Sequence, residues 1–217
     1  MKNKAPFATD AQDLNTFLYI VPYTMDNEYF VIDIETCPID FGKCDALTDE
    51  EEKKKLINPI DSKIVAIGIR HKGNNIIFSN KDEKGLLEDF WSEWKTIKKG
   101  SSYMKIVGFN ITNFDIPFLV ARSVINNVVI SPFFIKELID LRDKINAYRY
   151  GNTRGTLKEY ASLLGEKVMD VDGSDIFNLC KDGKMKELVE YLENDLLITD
   201  KLYQRVCETN AIQINKW

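Results

Sequence analysis

The amino-acid sequence predicts an α/β domain whose mixed β-sheet is flanked by helices on both faces. Short apolar runs rich in β-branched residues, which are typical of strands, alternate with longer stretches whose apolar residues recur at helical spacing. The strands that come before the first long helix indicate an antiparallel start to the sheet, and the later alternation indicates parallel pairing. With 217 residues, the chain has the length of one large domain.

The strands are predicted from apolar runs in the first two thirds of the chain. The second and third runs are separated only by Lys72-Gly73-Asn74, which is short enough for a tight hairpin. Leu138-Ile139-Asp140-Leu141 is a further candidate strand. The predicted strands, in order, are 29–36, 63–70, 75–78, 104–110, 128–130 and 138–141.

The helices are predicted from amphipathic spacing and from residues that begin or end helices. Thr48 is a plausible N-cap for a charged first helix, and Gly165 ends a later one. An aromatic stripe that includes Trp91 and Trp94 is expected in the core rather than at a ligand. The predicted helices are 49–55, 81–99, 113–126, 156–164 and 184–210.

The composition is that of an ordinary soluble globular protein. Hydrophobic residues make up 44% of the chain and charged residues 29%, and no apolar run is long enough to cross a bilayer. The first residues do not lead into the apolar core of a signal peptide. We therefore expect a cytoplasmic protein with no membrane partner.

Cysteine and histidine usage argues against a zinc site. Cys37, Cys44, Cys180 and Cys207 form no Cys-x-x-Cys pair, and His71 is the single histidine. Reduced thiols are expected in a cytosolic protein, although a Cys37–Cys44 bridge across a short loop stays open.

Two carboxylates follow the first apolar run. Asp33 and Glu35 are separated by Ile34, so on a strand both side chains point to one face, about 7 Å apart along the chain. Adjacent acids disfavour each other's ionised form, and a hard cation such as Mg²⁺ would offset that cost. The alternative is that these acids simply end a strand at the surface.

Three further residues are candidates for the same site. Asp115 lies where a buried strand leads into a helix, where an acid is also a common capping residue. Tyr191 and Asp195 are four residues apart in the last helix, which stacks them on one face. As an isolated pair they would be a core tyrosine and a surface acid.

In this order and spacing, Asp-x-Glu, Asn-x-x-x-Phe-Asp and Tyr-x-x-x-Asp resemble the three exonuclease motifs of the DEDD superfamily, which has an RNase H-like fold. More narrowly, residues 31–36, 108–119 and 173–199 are similar to the proofreading 3′-5′ exonuclease of family-B DNA polymerases and its stand-alone relatives. The similarity spans roughly residues 29–205, without polymerase domains.

The tyrosine identifies the branch of the superfamily. The sister branch carries a histidine five residues before the last aspartate, and that position is Glu190 here. Tyr191 therefore matches the DEDDy branch.

The resemblance implies a two-metal site with Mg²⁺ or Mn²⁺. Asp33, Glu35 and Asp195 would hold the ion that activates water. Asp33 would also bridge to the second ion, which Asp115 would assist partly through water. Tyr191 would position the attacking water as a neutral phenol.

The resemblance also implies contacts with the substrate. Glu35 and Thr36 would lie at the terminal 3′-hydroxyl, with Asn110 and Phe114 near the last two nucleotides. Phe114 would stack on bases or wedge between them, although core packing is an equal alternative for part of its surface.

A basic, aromatic stretch at 142–158 interrupts the acidic background of a chain with net charge −5. It is a candidate clamp for phosphates, and a solvated loop is the alternative. We expect Arg149 and Arg154 to bind substrate. The basic residues of this stretch are Arg142, Lys144, Arg149, Arg154 and Lys158.

The function predicted is a metal-dependent 3′-5′ exonuclease that acts on the 3′ end of single-stranded DNA and releases nucleoside monophosphates. The alternatives are an exoribonuclease of the same chemistry, or a non-catalytic module that binds nucleic acid or a replication complex. The predicted domains are an extension of unassigned role at 1–27, the exonuclease domain at 28–210 and a tail at 211–217. Protein partners and oligomeric state stay open.

Overall fold

The structure is a computed structural model that describes residues 28–79, 82–99, 104–149, 155–169 and 175–215. Its five strands form one sheet with the spatial order β3-β2-β1-β4-β5. The strands are β1 (Tyr29–Pro38), β2 (Ser62–His71), β3 (Asn74–Phe78), β4 (Lys105–Gly108) and β5 (Leu138–Asp140). β2 is antiparallel to β1 and β3, whereas β4 is parallel to β1 and β5. The mixed sheet predicted from the sequence is confirmed.

Helices cover both faces of this sheet, as predicted. They are α1 (Phe41–Asp45), α2 (Glu50–Lys55), α3 (Glu83–Lys98), α4 (Asp115–Ile125), α5 (Leu141–Ile145), α6 (Leu157–Leu163), α7 (Asp175–Lys181) and α8 (Met185–Glu208). Short 3₁₀ helices occupy Ile135–Glu137 and Ala211–Gln213. Among the described residues, no helix combines the length and the apolar character that a bilayer crossing requires.

The alternating side chains of β1 divide the core in two. Phe30, Ile32 and Ile34 pack on the face covered by α3 and α4. Val31 packs on the opposite face, against α7 and α8. Since successive side chains of a strand point to opposite faces, one buried strand supplies both halves of the core.

The aromatic stripe of α3 lies in the core, as predicted. Trp91 and Trp94 are both buried. The indole Nε1 of Trp91 donates a hydrogen bond to Ser123 Oγ at 2.8 Å, which joins α3 to α4. Phe133 stacks on Trp91 with the ring centroids 6.2 Å apart and closes this side of the domain.

The predicted strand at 128–130 is wrong. These residues follow the end of α4 without strand pairing, and the side chain of Val129 is 88% exposed. Asn127 adopts a left-handed conformation, and Val128 N donates to Ser123 O at 2.9 Å, which ends the helix. The run is apolar enough for a strand but pairs with no described strand.

The expectation of four reduced thiols is also wrong. A disulfide joins Cys37 at the end of β1 to Cys180 of α7, across a sequence separation of 143 residues. Cys44, the partner left open from the sequence, is buried and belongs to no disulfide, as is the case for Cys207. The rings of Phe41 and Phe177, with centroids 5.6 Å apart, also hold α7 against α1.

The chain beyond α8 packs back onto the domain. The ammonium of Lys144 donates to the carbonyls of Ile212 and Ile214, at 2.9 Å and 2.5 Å. Residues 1–27 lie outside the described residues, so the proposed division of the chain stays a prediction.

Candidate metal centre and active site

The candidate site lies at the carboxyl ends of the parallel strands, on the face of the sheet that α8 covers. Asp33 and Glu35 have the same alternation as Val31, so their side chains leave β1 toward α8. Glu35 is buried and Asp33 is partly buried. A shift of register between Glu35 and Thr36 interrupts the β1–β2 ladder at this point, and the pairing then continues to Pro38.

Gly68 lets α8 approach these acids closely. It lies directly opposite Asp33 in the β1–β2 pair. A Cβ atom at Gly68 would lie 2.6 Å from Leu196 Cδ1 and 3.2 Å from Leu192 Cγ. A side chain at this position would therefore force Leu196 and Leu192 of α8 to shift.

α8 presents Tyr191 and Asp195 on its buried face. The two residues are four apart in the helix, and both are 7% exposed. Asp33, Glu35 and Asp195 each offer a carboxylate oxygen, and these atoms all lie within 4.8 Å of one another. The structure thus brings together three acids that are up to 162 positions apart in the sequence.

Asp115, the first residue of α4, lies beside this cluster rather than within it. Its carboxylate is close enough to Asp33 to raise the pKa of that residue, after the larger effect of burial. Gly108 lets Ile111 and the backbone of Ile32 lie close to β4, because a Cβ at Gly108 would lie 1.8 Å from Ile111 Cγ2 and 3.1 Å from the carbonyl oxygen of Ile32.

Asp140, at the end of β5, holds the turn that leads to Asp115. Its carboxylate accepts hydrogen bonds from Asn110 N at 2.9 Å, from Thr112 N at 3.1 Å and from Thr112 Oγ1 at 2.6 Å. Asn110 has a left-handed φ of 67°, which these bonds stabilise. Sequence reasoning missed this role, because it assigned Asp140 only to a candidate strand.

The carboxylates of the site have strongly shifted proton affinities. Burial raises the pKa of Asp33 and of Glu35 well above the usual range, and the neighbouring acids raise both further. Burial also raises the pKa of Asp195 to about 6, although Tyr191 and Lys158 act to lower it. Burial raises the pKa of Asp115 to about 7, with its own backbone N–H lowering it and Asp140 raising it.

Tyr191 stays neutral in this environment. Burial raises the pKa of its phenol far above the usual value, and the charges of Asp195 and Glu35 act in the same direction. Its hydroxyl keeps its proton and can donate a hydrogen bond toward the acids.

A cation fits the unsatisfied atoms of the cluster. Asp115 Oδ1 and Asp195 Oδ1 are buried, and neither has a hydrogen-bond partner within the described part of the chain. Buried carboxylate oxygens without donors are costly, and hard divalent ions prefer oxygen ligands. The donor set therefore suits Mg²⁺ or Mn²⁺.

Lys158 also faces the acids, which sequence reasoning did not foresee when it grouped this residue with the basic stretch. Its Nζ is buried and lies 4.4 Å from the centroid of the Tyr191 ring. Its charge lowers the pKa of Glu35 and Asp195, after the larger, opposite effect of burial.

Three of the predicted substrate-binding residues lie in the described part of the chain, close in sequence to Glu35 or Asp115. Thr36 follows Glu35 on β1 and is partly exposed. Asn110 Oδ1 accepts from Arg142 Nη1 at 3.4 Å. The Phe114 ring packs partly against the core, with its centroid 5.2 Å from that of Phe118. Core packing thus accounts for part of the Phe114 surface.

The described residues of the basic stretch lie in different surroundings. Arg149 is exposed, and Arg154 lies outside the described residues. Lys144 is buried and bonded to the carbonyls beyond α8, and the guanidinium of Arg142 reaches Asn110. Their contribution to substrate binding stays a prediction.

Comparison with known proteins agrees with this architecture. A sequence model of a family described as "Predicted 3'-5' exonuclease related to the exonuclease domain of PolB" matches residues 62–214. The uncharacterized protein MJ0365 of Methanocaldococcus jannaschii is 32% identical over 168 residues, which cover 72% of this chain and 93% of that protein. The matched family segment begins at β2, after the strand that carries Asp33 and Glu35.

The family B DNA polymerase from the hyperthermophilic archaeon Pyrobaculum calidifontis shares the fold. The superposition has a TM-score of 0.60 at 17% identity and covers 82% of this chain and 24% of the polymerase. The chain thus spans about a quarter of that polymerase's length. With its mixed sheet flanked by helices, the chain has the predicted RNase H-like α/β fold. The family match and the relative of M. jannaschii show that this chain belongs to the family of predicted 3′-5′ exonucleases related to the exonuclease domain of PolB.

Proposed function

We propose that this protein is a metal-dependent nuclease that hydrolyses phosphodiester bonds from the 3′ end of single-stranded DNA and releases nucleoside monophosphates. The observation that supports this most directly is the group of three acids, Asp33, Glu35 and Asp195, with carboxylate oxygens within 4.8 Å. Their raised proton affinities indicate a cluster built to be neutralised by cations.

The same carboxylates would hold the metal ions. Asp33, Glu35 and Asp195 would bind one ion, and Asp33 with Asp115 would bind a second, consistent with the orphaned Oδ1 atoms of Asp115 and Asp195. When bound, a pair of divalent ions supplies an activated water and stabilises charge on the attacking and leaving oxygens.

Tyr191 would orient the attacking water. Its phenol stays protonated because burial and the adjacent acids raise its pKa, so it can donate a hydrogen bond but cannot act as a base near neutral pH. A position at the edge of the cluster suits an orienting group, since nucleophile placement alone contributes strongly to rate.

The turn residues would hold the 3′ end of the substrate. Thr36 and the backbone beside it border Glu35, and Asn110 and Phe114 belong to the turn that leads to Asp115. The exposed part of the Phe114 ring could stack on a base without reading sequence. Arg149 and Arg154 would contact the backbone phosphates upstream.

A cleavage assay tests the proposal. A single-stranded DNA oligonucleotide with a 5′ label is incubated with Mn²⁺ or with chelator, beside an RNA of the same sequence. We expect a ladder of DNA shortened from the 3′ end, with release of monophosphates, which depends on the metal. The matched variants are Asp33→Asn with Glu35→Gln, expected to be inactive, and Glu193→Gln on the exposed side of α8, expected to be active.

The other outcomes of this assay are equally informative. Shortening of RNA alone would make the protein an exoribonuclease. Intact DNA and RNA in every reaction, with wild-type folding, would contradict the proposal and favour a non-catalytic binding module of the same fold.

A further inference from the structure

Asp200 is a buried acid of α8 that lies outside the acidic cluster. It follows Asp195 by five residues, which places it about 7.5 Å further along the helix axis. Its two carboxylate oxygens accept hydrogen bonds from two different strands. Tyr29 Oη donates to Oδ1 at 2.7 Å, and Arg70 Nε donates to Oδ2 at 2.8 Å. Asp200 is 6% exposed, so both contacts are made away from bulk solvent.

The two donors belong to the strands that form the acidic site. Tyr29 lies on β1 four residues before Asp33, and the alternation of the strand places both side chains on the face that α8 covers. Arg70 lies on β2 two residues after Gly68, which is the position opposite Asp33. Asp200 thus ties α8 to the strand that carries Asp33 and to the strand that pairs with it.

Both donors are themselves held in place. Arg70 Nη1 also donates to Asn75 Oδ1 of β3 at 2.9 Å. The ring of Tyr29 lies against the ring of Tyr203 of α8, with the centroids 4.5 Å apart. Burial raises the pKa of the Tyr29 phenol, and the hydrogen bond to Asp200 raises it further, so the hydroxyl stays a donor.

These polar contacts can fix α8 in a way that apolar packing cannot. Leu192 and Leu196 pack on the same face of the sheet, and apolar contacts of this kind have no preferred direction. Hydrogen bonds depend on both distance and angle, so two of them to one carboxylate fix the helix along its axis and around it. A buried ion pair contributes little net stability compared with apolar side chains of similar volume, whereas it can select one register of packing.

We propose that Asp200 is a positioning residue that fixes the register of α8 against β1 and β2 and thereby brings Asp195 to the carboxylate of Asp33. This inference rests on the proposed nuclease function. Asp195 shares a cluster of oxygens within 4.8 Å with the acids of β1. A metal-binding group must lie within about 0.5 Å of its productive position, and one residue of helix rises about 1.5 Å. A slide of α8 by one residue would therefore take Asp195, and Tyr191 with it, out of the site.

Two matched double variants test this role. In Arg70→Met with Asp200→Leu, apolar side chains replace the ion pair, and the loss of one charge of each sign leaves the net charge unchanged. The control is Lys98→Met with Glu137→Leu, which replaces an ion pair between α3 and the 3₁₀ helix that precedes β5. The side chains of Lys98 and Glu137 are 16% and 9% exposed, against 16% and 8% for Arg70 and Asp200. Each carboxylate also accepts a hydrogen bond from a second residue.

Three measurements are compared between wild type and variants. Calorimetric titration with Mn²⁺ reports on the geometry of the acids without turnover, and Tm reports on stability. Cleavage of a thymidine oligonucleotide with a 5′ label, at saturating Mn²⁺, gives kcat and KM.

We expect Arg70→Met with Asp200→Leu to bind Mn²⁺ about 10-fold more weakly and to lower kcat by about 10²-fold. Its KM should stay close to that of wild type, because the proposed contacts with the 3′ end lie on β1 and on the turn before α4. The control variant should keep the wild-type Mn²⁺ affinity and kcat. Asp200→Asn retains one acceptor oxygen and should give an intermediate Mn²⁺ affinity.

Mn²⁺ affinity and kcat equal to those of the control variant would overturn the inference. Equal losses in both double variants, with an equal fall in Tm, would also overturn it, because they would trace the effect to stability alone. If Arg70→Met with Asp200→Leu does not fold, Tyr29→Phe replaces it under the same criteria, since this change removes only the hydroxyl donor.

The wild type separates this inference from the proposed function. An active wild type, with Mn²⁺ affinity unchanged in the variants, defeats the role of Asp200 alone. A wild type that binds Mn²⁺ but cleaves no nucleic acid defeats the proposed function, and the Mn²⁺ affinities of the variants still decide the role of Asp200. A wild type that binds no Mn²⁺ defeats both.

Discussion

Gly68 of β2 lies directly beneath Leu196 of α8, so that a Cβ atom on the glycine would come within 2.6 Å of the leucine Cδ1. The same glycine pairs with Asp33 across the β1–β2 ladder. The absence of a side chain at one position thus sets how closely the helix with Tyr191 and Asp195 can approach the strand with the other acids.

Gly68→Ala should therefore reduce nuclease activity strongly while it lowers the stability of the fold only moderately. Overpacking against Leu196 and Leu192 is expected to lower the free energy of unfolding by about 1–3 kcal/mol. Displacement of α8 should reduce nuclease activity by about 10²-fold, because reacting groups tolerate little misplacement. Urea unfolding and cleavage rates measure the two effects. The control is Gly42→Ala on the exposed α1, and an equally small effect of both substitutions on cleavage would contradict this role.

Tyr191→Phe should slow catalysis without weakening metal binding. The phenol is the proposed donor to the attacking water, whereas the carboxylates are the proposed ligands. We expect kcat to fall by about 10²-fold, with an unchanged Mn²⁺ dissociation constant by calorimetry. Tyr160→Phe removes a hydroxyl from the same hydrophobic half of the domain and serves as control. Loss of Mn²⁺ affinity in Tyr191→Phe would show that the phenol acts on the metal site instead.

Without metal, the protein should become less stable as the pH rises. The pKa of Asp115 is raised from 3.8 to about 7 and that of Asp195 to about 6, chiefly by burial. The folded state therefore keeps protons that the unfolded chain releases, and each group's stabilisation is lost as the pH rises from its unfolded pKa through its folded pKa. In chelator, the free energy of unfolding should fall between about pH 4 and about pH 7 by on the order of a few kcal/mol.

Variants and metal addition check the source of this pH dependence. Asp195→Asn and Asp115→Asn should raise Tm in chelator at about pH 8 and flatten its pH dependence, while both abolish cleavage. Glu193→Gln should match wild type. Mn²⁺ should raise the wild-type Tm at this pH by mass action on the folded state. A wild-type Tm that climbs with pH in chelator would exclude the acidic cluster as the dominant titrating unit.

The Cys37–Cys180 disulfide should be present in the purified protein and should stabilise it. It closes a loop with a sequence separation of 143, and bridges of this kind typically contribute about 2–4 kcal/mol. Alkylation in denaturant without reductant should therefore modify Cys44 and Cys207 alone, as read by mass spectrometry. Reductant should lower the wild-type Tm but leave a Cys37→Ala, Cys180→Ala variant unchanged. Alkylation of all four cysteines would refute the bridge.

Asp140→Ala should loosen the turn that leads to Asp115. The substitution leaves the backbone N–H groups of Asn110 and Thr112 without their acceptor, at a cost of about 2–4 kcal/mol in the free energy of unfolding. We expect a raised KM for the oligonucleotide as well, since Asn110 loses the contact that supports its left-handed backbone. Asp140→Asn keeps one acceptor oxygen and should give an intermediate result. A wild-type KM in Asp140→Ala would separate this turn from substrate binding.

Local periodicity explains why so much of the fold could be predicted. The alternation in β1 and the helical spacing in α3 and α8 depend on residues two to four positions apart, which is information that a sequence contains directly. The errors in the predicted strands and helices also have local causes. Residues 128–130 are apolar but pair with no described strand, and α1, α5 and α7 have only five to seven residues, too few for a periodic signal.

The candidate site also has a part that local patterns predicted and a part that they did not. Residue type and spacing singled out Asp33, Glu35, Asp115, Tyr191 and Asp195. The resemblance to the DEDDy exonucleases gave them roles as metal ligands and an orienting phenol, and these roles stay predictions. No spacing in the chain indicated that Lys158 would turn away from the basic stretch toward the acids. Likewise, no spacing indicated that Cys37 would pair with Cys180.

Patterns among near neighbours were enough to predict the class of the fold, the order of most strands and helices, and the charged side chains at the ends of buried elements. Which side chains meet was visible only once distant segments had packed: three acids within 4.8 Å, an ammonium above a phenol, and a disulfide across the domain. The physical reason is that secondary structure follows from near neighbours in the chain. Contacts between positions such as 33 and 195 depend instead on how closely surfaces pack, and here that closeness depends on a missing side chain at Gly68.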